Sequence, residues 1–447
     1  MRDLPTPPVW HQNLGKALEV YQRPEVQETV AKINRDYLHW DKVRFQARPA
    51  GVTPETLWSL VKFSRQSPRK FISLADVRGQ PFSFTLPAAA QPILHEVDRG
   101  GGGILAVTKG TSSRLRALHN RIIVSSLMEE AIATSQIEGA VTTRKVAKQM
   151  LQTRRRPRDR SETMIVNGYR TIQLLRDRLE GPLDMDLLFE IQESMTRDTL
   201  DDPTRAGTFR TSDDRITIVD TRDQQTVYTP PPPKLLPERM GKLLAFANEP
   251  ATEEEFIHPL VKAAILHFWL AYEHPFVDGN GRTARALFYW WMLKAGYWLF
   301  EYLTISRVIF DSRIQYYHSF LFAEEDDNDL TYSIMYQLRA THKALKQMRE
   351  YLAQKEAEQQ AVSNALKNAP DLNPRQRASL QELVHDGAKV YTFRSYAAEN
   401  GVSLLTARTD LLDLTRKGFL IRIRAGKHHE FAAARKLAKR LSKGRSD

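Results

Sequence analysis

Residues His274–Arg285 read HPFVDGNGRTAR and lie between two runs, 256–272 and 282–298, that are apolar nearly all round. Helices apolar on every face belong in a core. The stretch is therefore expected to be a short loop mounted between two buried central helices. Gly279 and Gly281 flank Asn280 just before the second helix. Unhindered backbone N–H groups and the positive helix end would then face one spot, which suits an anion. Arg282 and Arg285 stand three apart on the first helical turn, where guanidinium groups add donors matched to phosphate oxygens. Asp278 would repel phosphate there unless a divalent cation bridges the two, which implies magnesium. His274 sits just before the loop, and imidazole, with a reference pKa of about 6.5, is well matched to taking a proton near neutrality. Together these parts can bind a magnesium polyphosphate and activate a hydroxyl against it. The reaction class is phosphoryl or nucleotidyl transfer.

Each residue also has a plainer use. Asp278 or Asn280 can cap a helix, the glycines can turn the chain, and His274 can be a satisfied interfacial histidine. Compression of all of them into one loop between buried helices favours the chemical reading. His258, His267 and His274 are spaced nine and seven apart rather than as an i, i+4 pair. No helical zinc site is expected, and His258 and His267 are read as structural.

At 447 residues the chain suggests two or three domains. Cysteine is absent, which excludes a disulfide framework, a thiolate nucleophile and a thiolate zinc site, and fits a cytoplasmic protein. The amino terminus, MRDLPTPPVWHQNL, has two charges and three prolines before any apolar run, unlike a signal peptide. The most apolar stretch, FYWWMLKAGYWLF at 288–300, is too short for a membrane span and carries Lys294, so it reads as a buried core helix. No membrane partner is expected. Of the formal charge of +12, the segment 371–447 supplies +8, from 16 Lys+Arg less 8 Asp+Glu.

Residues 1–110 mix short apolar patches with turn signals and carry no assignable chemistry. Helical periodicity runs from about 112 to 200, interrupted by the basic loop RRRPRDR at 154–160. Within 207–233 the alternating run RITIVD precedes four prolines, which can neither feed a sheet ladder nor continue into a helix; this predicts a hairpin-like flap. Helices follow at 235–249, 304–324 and 329–362, the last emerging as a charged connector over 346–370. From 371 to 447, short helices precede FLIRIRAGKHHEF, which alternates about an Ala-Gly-Lys turn, as in a winged helix-turn-helix.

HPFVDGNGRTAR matches the Fic family signature at every fixed position; Ala284, where glycine is common, is a mild departure. The similarity extends over roughly 115–345 through HPLVKAAILHFWLAYE, RDRSETMIVNGY, DPTRAGTFR and the flap ending in PPPP. It implies an all-helical Fic fold with a small β-hairpin flap over 111–345, and a protein adenylyltransferase using ATP and Mg2+. By position, His274 would deprotonate a Tyr, Ser or Thr hydroxyl and Phe276 would pack the loop into the core. Asp278 would hold the metal, and Asn280 with the backbones of Gly279 and Gly281 would form an anion hole. Arg282 and Arg285 would take the β- and γ-phosphates. The flap at 215–220 would dock a target protein by strand addition.

Upstream, Thr134–Gly139 reads TSQIEG and resembles the family's inhibitory motif. On a helix at about 125–140, Glu138 could pair with Arg285 and deny it to the γ-phosphate; the plainer reading is a helical Glu beside a Gly C-cap. In some relatives the equivalent Glu positions water to remove AMP, so the sequence leaves the direction of the reaction open. In the tail, Asn400-Gly401 separates two helices, and the second would present Thr406, Arg408, Thr409, Asp410 and Arg416, with Arg422, Arg424 and Lys427 on the wing. DNA or a protein could meet that face, and a DNA-binding regulator with the Fic core as sensor or relic is the rival reading. The complete loop argues against a relic. Self-modification and a homodimer are compatible with the sequence.

Overall fold

The computed structural model describes residues 4–102, 113–219, 225–250, 252–253, 255–367, 369, 371–385, 389–425, 428–434, 437 and 441. The described residues form two compact units, one within 1–111 and 120–345, the other within 112–119 and 346–447. In chain order the first part of the molecule comprises α1 (Leu14–Val20), α2 (Pro24–Asp36), α3 (Trp40–Val43), α4 (Pro54–Gln66), β1 (Lys70–Ala75), β2 (Pro81–Phe84) and α5 (Ala90–Gly102). Then come α6 (Ser113–Ile137), α7 (Arg144–Thr153), α8 (Arg160–Asp177), α9 (Met185–Thr196), β3 (Ile218–Val219), β4 (Thr226–Tyr228), α10 (Leu236–Asn248), α11 (Pro259–Glu273), α12 (Asn280–Lys294), α13 (Ile305–Asp311), α14 (Arg313–Glu325) and α15 (Thr331–Lys367).

The centre is α11 packed along α12. Pro259 opens α11 at a position where its missing N–H costs nothing, and His258 Nδ1 accepts from the Leu260 N–H as a cap. From Leu260 to Leu270 every residue of α11 is buried, and α12 is buried almost throughout. The all-round apolar runs thus became core, as their composition requires. Two expectations needed revision at their ends. The run 288–300 is not one helix, because α12 stops at Lys294 and Gly296 turns the chain at φ +86° before a 3-10 turn over Trp298–Glu301. The helix expected over 304–324 is two, broken at Ser312, whose hydroxyl bonds the Val308 carbonyl and the Tyr336 hydroxyl.

The amino-terminal stretch packs in the same unit as α11 and α12. Ala17, Val26, Val30, Ile33, Leu57, Trp58 and Val61 share a core. The antiparallel β1–β2 hairpin pairs Lys70 with Phe84 and Ala75 with Pro81. It joins the start of α15 through Ser83, whose N–H donates to Asn328 O at 3.1 Å and whose O accepts from Leu330 N at 2.8 Å. Beside it the Lys62 ammonium, 1% exposed, meets Asp326 at 2.6 Å and Asp327 at 3.2 Å. Burial pushes the Asp326 carboxyl up, but Lys62, Tyr332 and Arg65 more than offset this and hold it below the ordinary range.

In the second unit, α16 (Pro374–His385), β5 (Val390–Tyr391), α17 (Phe393–Asn400), α18 (Leu404–Arg416), β6 (Leu420–Ala425) and β7 (His428–Ala433) surround Leu380, Tyr391, Tyr396, Leu411, Leu414 and Phe431. The sheet order is β5-β7-β6, all antiparallel. Gly401 turns α17 into α18 at φ +61°, and Ser403 caps α18 through the Thr406 N–H. Arg408, Arg416, Arg422 and Arg424 are exposed, whereas Lys427 lies outside the described residues. Asp410 is not on the exposed face as expected. It is buried and accepts from Asn373, Arg375 and Tyr396, because a carboxylate facing this core must be fully paired.

Asp326→Ala removes the buried partner of a buried ammonium, leaving it only the exposed Asp327, and should cost roughly 3 kcal/mol in chemical denaturation. Asp327→Ala, which removes an exposed partner of the same Lys62, should cost less than about 1 kcal/mol. Equal costs would contradict this assignment.

Candidate active site

The chain leaves α11 at His274, which takes up the left-handed region at φ +47°. A non-glycine residue held there has to be fixed by its surroundings. Arg210 supplies much of the fixing. Its N–H donates to Pro275 O at 2.8 Å, Nε to His274 O at 2.7 Å, and Nη2 to Glu273 O at 3.2 Å and Pro231 O at 2.5 Å. The His274 Nδ1 lies 3.2 Å from Ala271 O. A carbonyl can only accept, so Nδ1 carries the proton and Nε2 keeps the lone pair. Burial, the largest influence, pulls the His274 pKa below the usual 6.5, which keeps the ring neutral near pH 7.

The loop is then stapled from inside. Phe276 is fully buried against Phe189 and Phe209. Asn280 closes a pair of bonds on its backbone, Oδ1 accepting from Phe276 N at 2.9 Å and Nδ2 donating to Phe276 O at 2.8 Å. The Asn280 side chain is thereby committed, and what it offers an anion is its backbone N–H at the start of α12. Gly279 has φ +84°, and a Cβ there would stand 2.7 Å from Thr196 Cγ2. Gln192, fully buried, bridges the loop to the chain at Gly207, donating to Asp278 O at 3.1 Å and accepting from Gly207 N at 2.6 Å.

Asp278 is part-exposed. Its Oδ1 accepts from Gly279 N at 2.6 Å, and Oδ2 lies 3.2 Å from Arg282 Nη2 and 3.3 Å from Arg160 Nη2. Arg282 and Arg285 were expected to share one patch, but they diverge. Arg282 is buried and also donates Nη1 to Met195 O at the end of α9. Arg285 turns to α6, where Nε donates to Thr134 Oγ1 at 2.7 Å, Nη2 to Thr134 O at 3.1 Å, and Nη2 to Glu138 Oε1 at 2.8 Å. Burial alone would lower the Arg285 pKa, but Glu138 and Tyr316 more than offset it and hold the guanidinium firmly charged. The same Glu138 oxygen lies so close over Gly281 that a Cβ there would be 2.3 Å from it. A carboxylate thus occupies the mouth of the α12 amino terminus. Glu130, two turns earlier on α6, accepts from Ser306 N at 3.0 Å and from its hydroxyl, anchoring the helix that carries Glu138.

The flap exists as the antiparallel pair β3–β4, with Ile218 opposite Tyr228; residue 220 of the expected 215–220 segment lies outside the described residues. Tyr228 OH donates to Tyr272 O at 2.9 Å and ties the flap to the end of α11. His267 is a satisfied core histidine between Tyr316 and Gln337, its pKa pushed down to about 3 by burial. Among the described residues no group of three or more His, Cys, Asp or Glu is gathered as a metal site. Arg210, Gln192 and Arg160 were not singled out from the sequence. The first two act largely on backbone atoms of residues far along the chain, and nothing local announces that.

The Fic/DOC family profile matches residues 182–292, which take in α9, the flap, α10, α11 and the loop. The chain carries a Fic domain. Its fold is the helical Fic fold with a small hairpin. A crystal structure of a Fic family protein from Desulfovibrio desulfuricans G20 superposes with a TM-score of 0.51 at 22% identity, covering 78% of this chain and 98% of that one. Fic-1 from C. elegans superposes with a TM-score of 0.52 at 18% identity, covering 78% and 90%. By sequence, the protein adenylyltransferase Fic of Drosophila mojavensis is 34% identical over 128 residues, 28% of this chain and 22% of that protein. The protein adenylyltransferase fic-1 of Caenorhabditis elegans is 35% identical over 96 residues, 22% of this chain and 17% of that protein. The chain thus spans about a fifth of the length of the curated relatives it matches. The profile begins after Glu138, so the α6 contact lies outside it.

In an NMR titration with His274→Ala as the assignment control, His274 should titrate below pH 6.5 and carry its neutral-form proton on Nδ1. The unfolded chain would protonate it near pH 6.5, so acidification through that interval favours unfolding at this group. A midpoint above 6.5 would contradict the burial argument.

Proposed function

We propose that the Fic domain transfers AMP from ATP to a hydroxyl group on a protein, and that Glu138 holds it off at rest. The observation that carries the reading is the loop itself, with a neutral His274 whose Nε2 lone pair is free by tautomer beside a helix amino terminus flanked by cations. The adenylyltransferase names of the curated relatives point the same way.

Each part has a stated task. His274 Nε2 takes the proton as the hydroxyl oxygen bonds to the α-phosphorus; the bond from that phosphorus to the bridging oxygen breaks, and pyrophosphate leaves. The first-turn N–H groups at Asn280 and Gly281 receive phosphate oxygens, and the Gly279 N–H joins them if Asp278 Oδ1 releases it. Arg282 and Arg285 serve the β- and γ-phosphates, Arg285 only after Glu138 releases it. Asp278 fits a magnesium site as a single part-exposed carboxylate beside an anion site, the remaining ligands coming from phosphate and water. Bound there, magnesium would neutralise phosphate charge. The target segment adds as a strand along the β3–β4 flap, where backbone recognition leaves its sequence free. On the second unit, Arg408, Arg416, Arg422 and Arg424 offer an exposed basic face for DNA or a partner protein.

Glu138→Gly should raise incorporation of labelled AMP from ATP and magnesium into lysate proteins by about tenfold or more, since it frees an arginine for the γ-phosphate of the departing pyrophosphate. His274→Ala in that background should keep ATP binding and lose labelling. Labelling that Glu138→Gly leaves unchanged would remove Glu138 from its role, and labelling that survives His274→Ala would remove the base. Loss of AMP from a modified protein in wild type, abolished by Glu138→Gly, would instead establish hydrolytic removal, in which water placed by Glu138 attacks the phosphorus and AMP and the free hydroxyl are released.

A further inference from the structure

We propose that Arg239 is a positioning residue for His274, working from the β1–β2 hairpin as its abutment. This rests on the transfer reaction above, and it gives a task to a region in which the sequence shows no chemistry. Glu273, the residue immediately before His274, is fully buried, and Arg239 takes both of its carboxylate oxygens. Nε lies 2.8 Å from Oε2 and Nη2 lies 2.6 Å from Oε1. The same guanidinium donates backwards, Nη2 to Ala75 O at 2.8 Å and Nη1 to Asp76 O at 3.3 Å, and it lies over Trp269 at 4.9 Å. One planar fork therefore links the end of β1 to the last residue of α11.

The turn that presents those carbonyls is itself fixed. Asp76 Oδ1 accepts from the Arg78 and Gln80 N–H groups, each at 2.8 Å. On the other side of the break, Arg210 holds the carbonyls of Glu273 and His274. His274 is thus gripped from two directions where its backbone sits in the left-handed region, and its imidazole direction follows from the torsions of that break. Burial outweighs the pull of Arg239 and Arg210 and pushes the Glu273 carboxyl above its ordinary range. A bidentate ion pair fixes one geometry, which an apolar contact of equal stability would not. Misplacement of a base by an ångström is the kind of defect that lowers turnover while leaving nucleotide binding intact.

The test uses the full chain in the Glu138→Gly background, below the melting temperature of every variant. Arg239→Lys keeps the charge but loses the fork, and should lower kcat about tenfold or more with KM for ATP within about twofold. Asp76→Ala, which loosens only the turn, should lower kcat in the same sense by a smaller factor. An unchanged kcat, or kcat and KM shifting together, would overturn the proposal. A second readout is independent of turnover: the 15N signal of His274 should show a smaller Nδ1–H population in Arg239→Lys, and an unchanged population would also overturn it. If Glu138→Gly itself transfers no AMP, the reaction proposed above fails, and the 15N readout alone decides whether Arg239 positions His274.

Discussion

The charge pair between Arg285 and Glu138 is the constraint on which the resting molecule depends. Arg285 is buried on α12, and a buried guanidinium without a partner is costly enough that the protein must supply one. Thr134 on α6 and Glu138 just past its end supply it, and the carboxylate thereby comes to lie over Gly281 at the amino terminus of α12. On the proposed reading, that contact is the one a polyphosphate would have to replace. On that reading a ligand would displace Glu138 by offering Arg285 comparable negative charge, since hydrogen bonds to charged groups of this kind are worth about 1.5–3 kcal/mol each.

The loop is held on tightly packed mounts. α11 and α12 are buried nearly throughout, Phe276 is sealed between aromatic rings, and Asn280 spends its side chain on Phe276. The two positive-φ positions, His274 and Gly279, are each locked from outside the loop, by Arg210 and by the close approach of Thr196. α6 is tied through Glu130 to Ser306, whereas the Glu138 side chain is partly open to solvent. On the proposed reading, release of the site needs only a rotation of that side chain.

The loop was readable in the sequence because its chemistry is local: two glycines, an asparagine, two arginines and an aspartate within eight residues. The central helices were readable because they are apolar on all faces. Arg210, Gln192 and Arg239 were not, since each bonds carbonyls or a carboxylate contributed by residues distant in sequence. Asp410 shows the converse failure, a charged residue that periodicity placed on a surface and that Asn373, Arg375 and Tyr396 draw into the core. Ser312 breaks an otherwise continuous helical pattern without any Pro or Gly to signal it. The sequence placed Arg282 and Arg285 on one face; their three-residue spacing says nothing of the Met195 and Thr134 carbonyls that pull them apart.

The most direct measurement is calorimetric binding of ATP and of ADP, with magnesium, to the wild-type protein and to Glu138→Gly. If Glu138 denies Arg285 to the γ-phosphate, wild type binds the two nucleotides with similar affinity, and Glu138→Gly prefers ATP by about tenfold or more. An ATP-to-ADP ratio that is the same in both proteins would contradict the central claim.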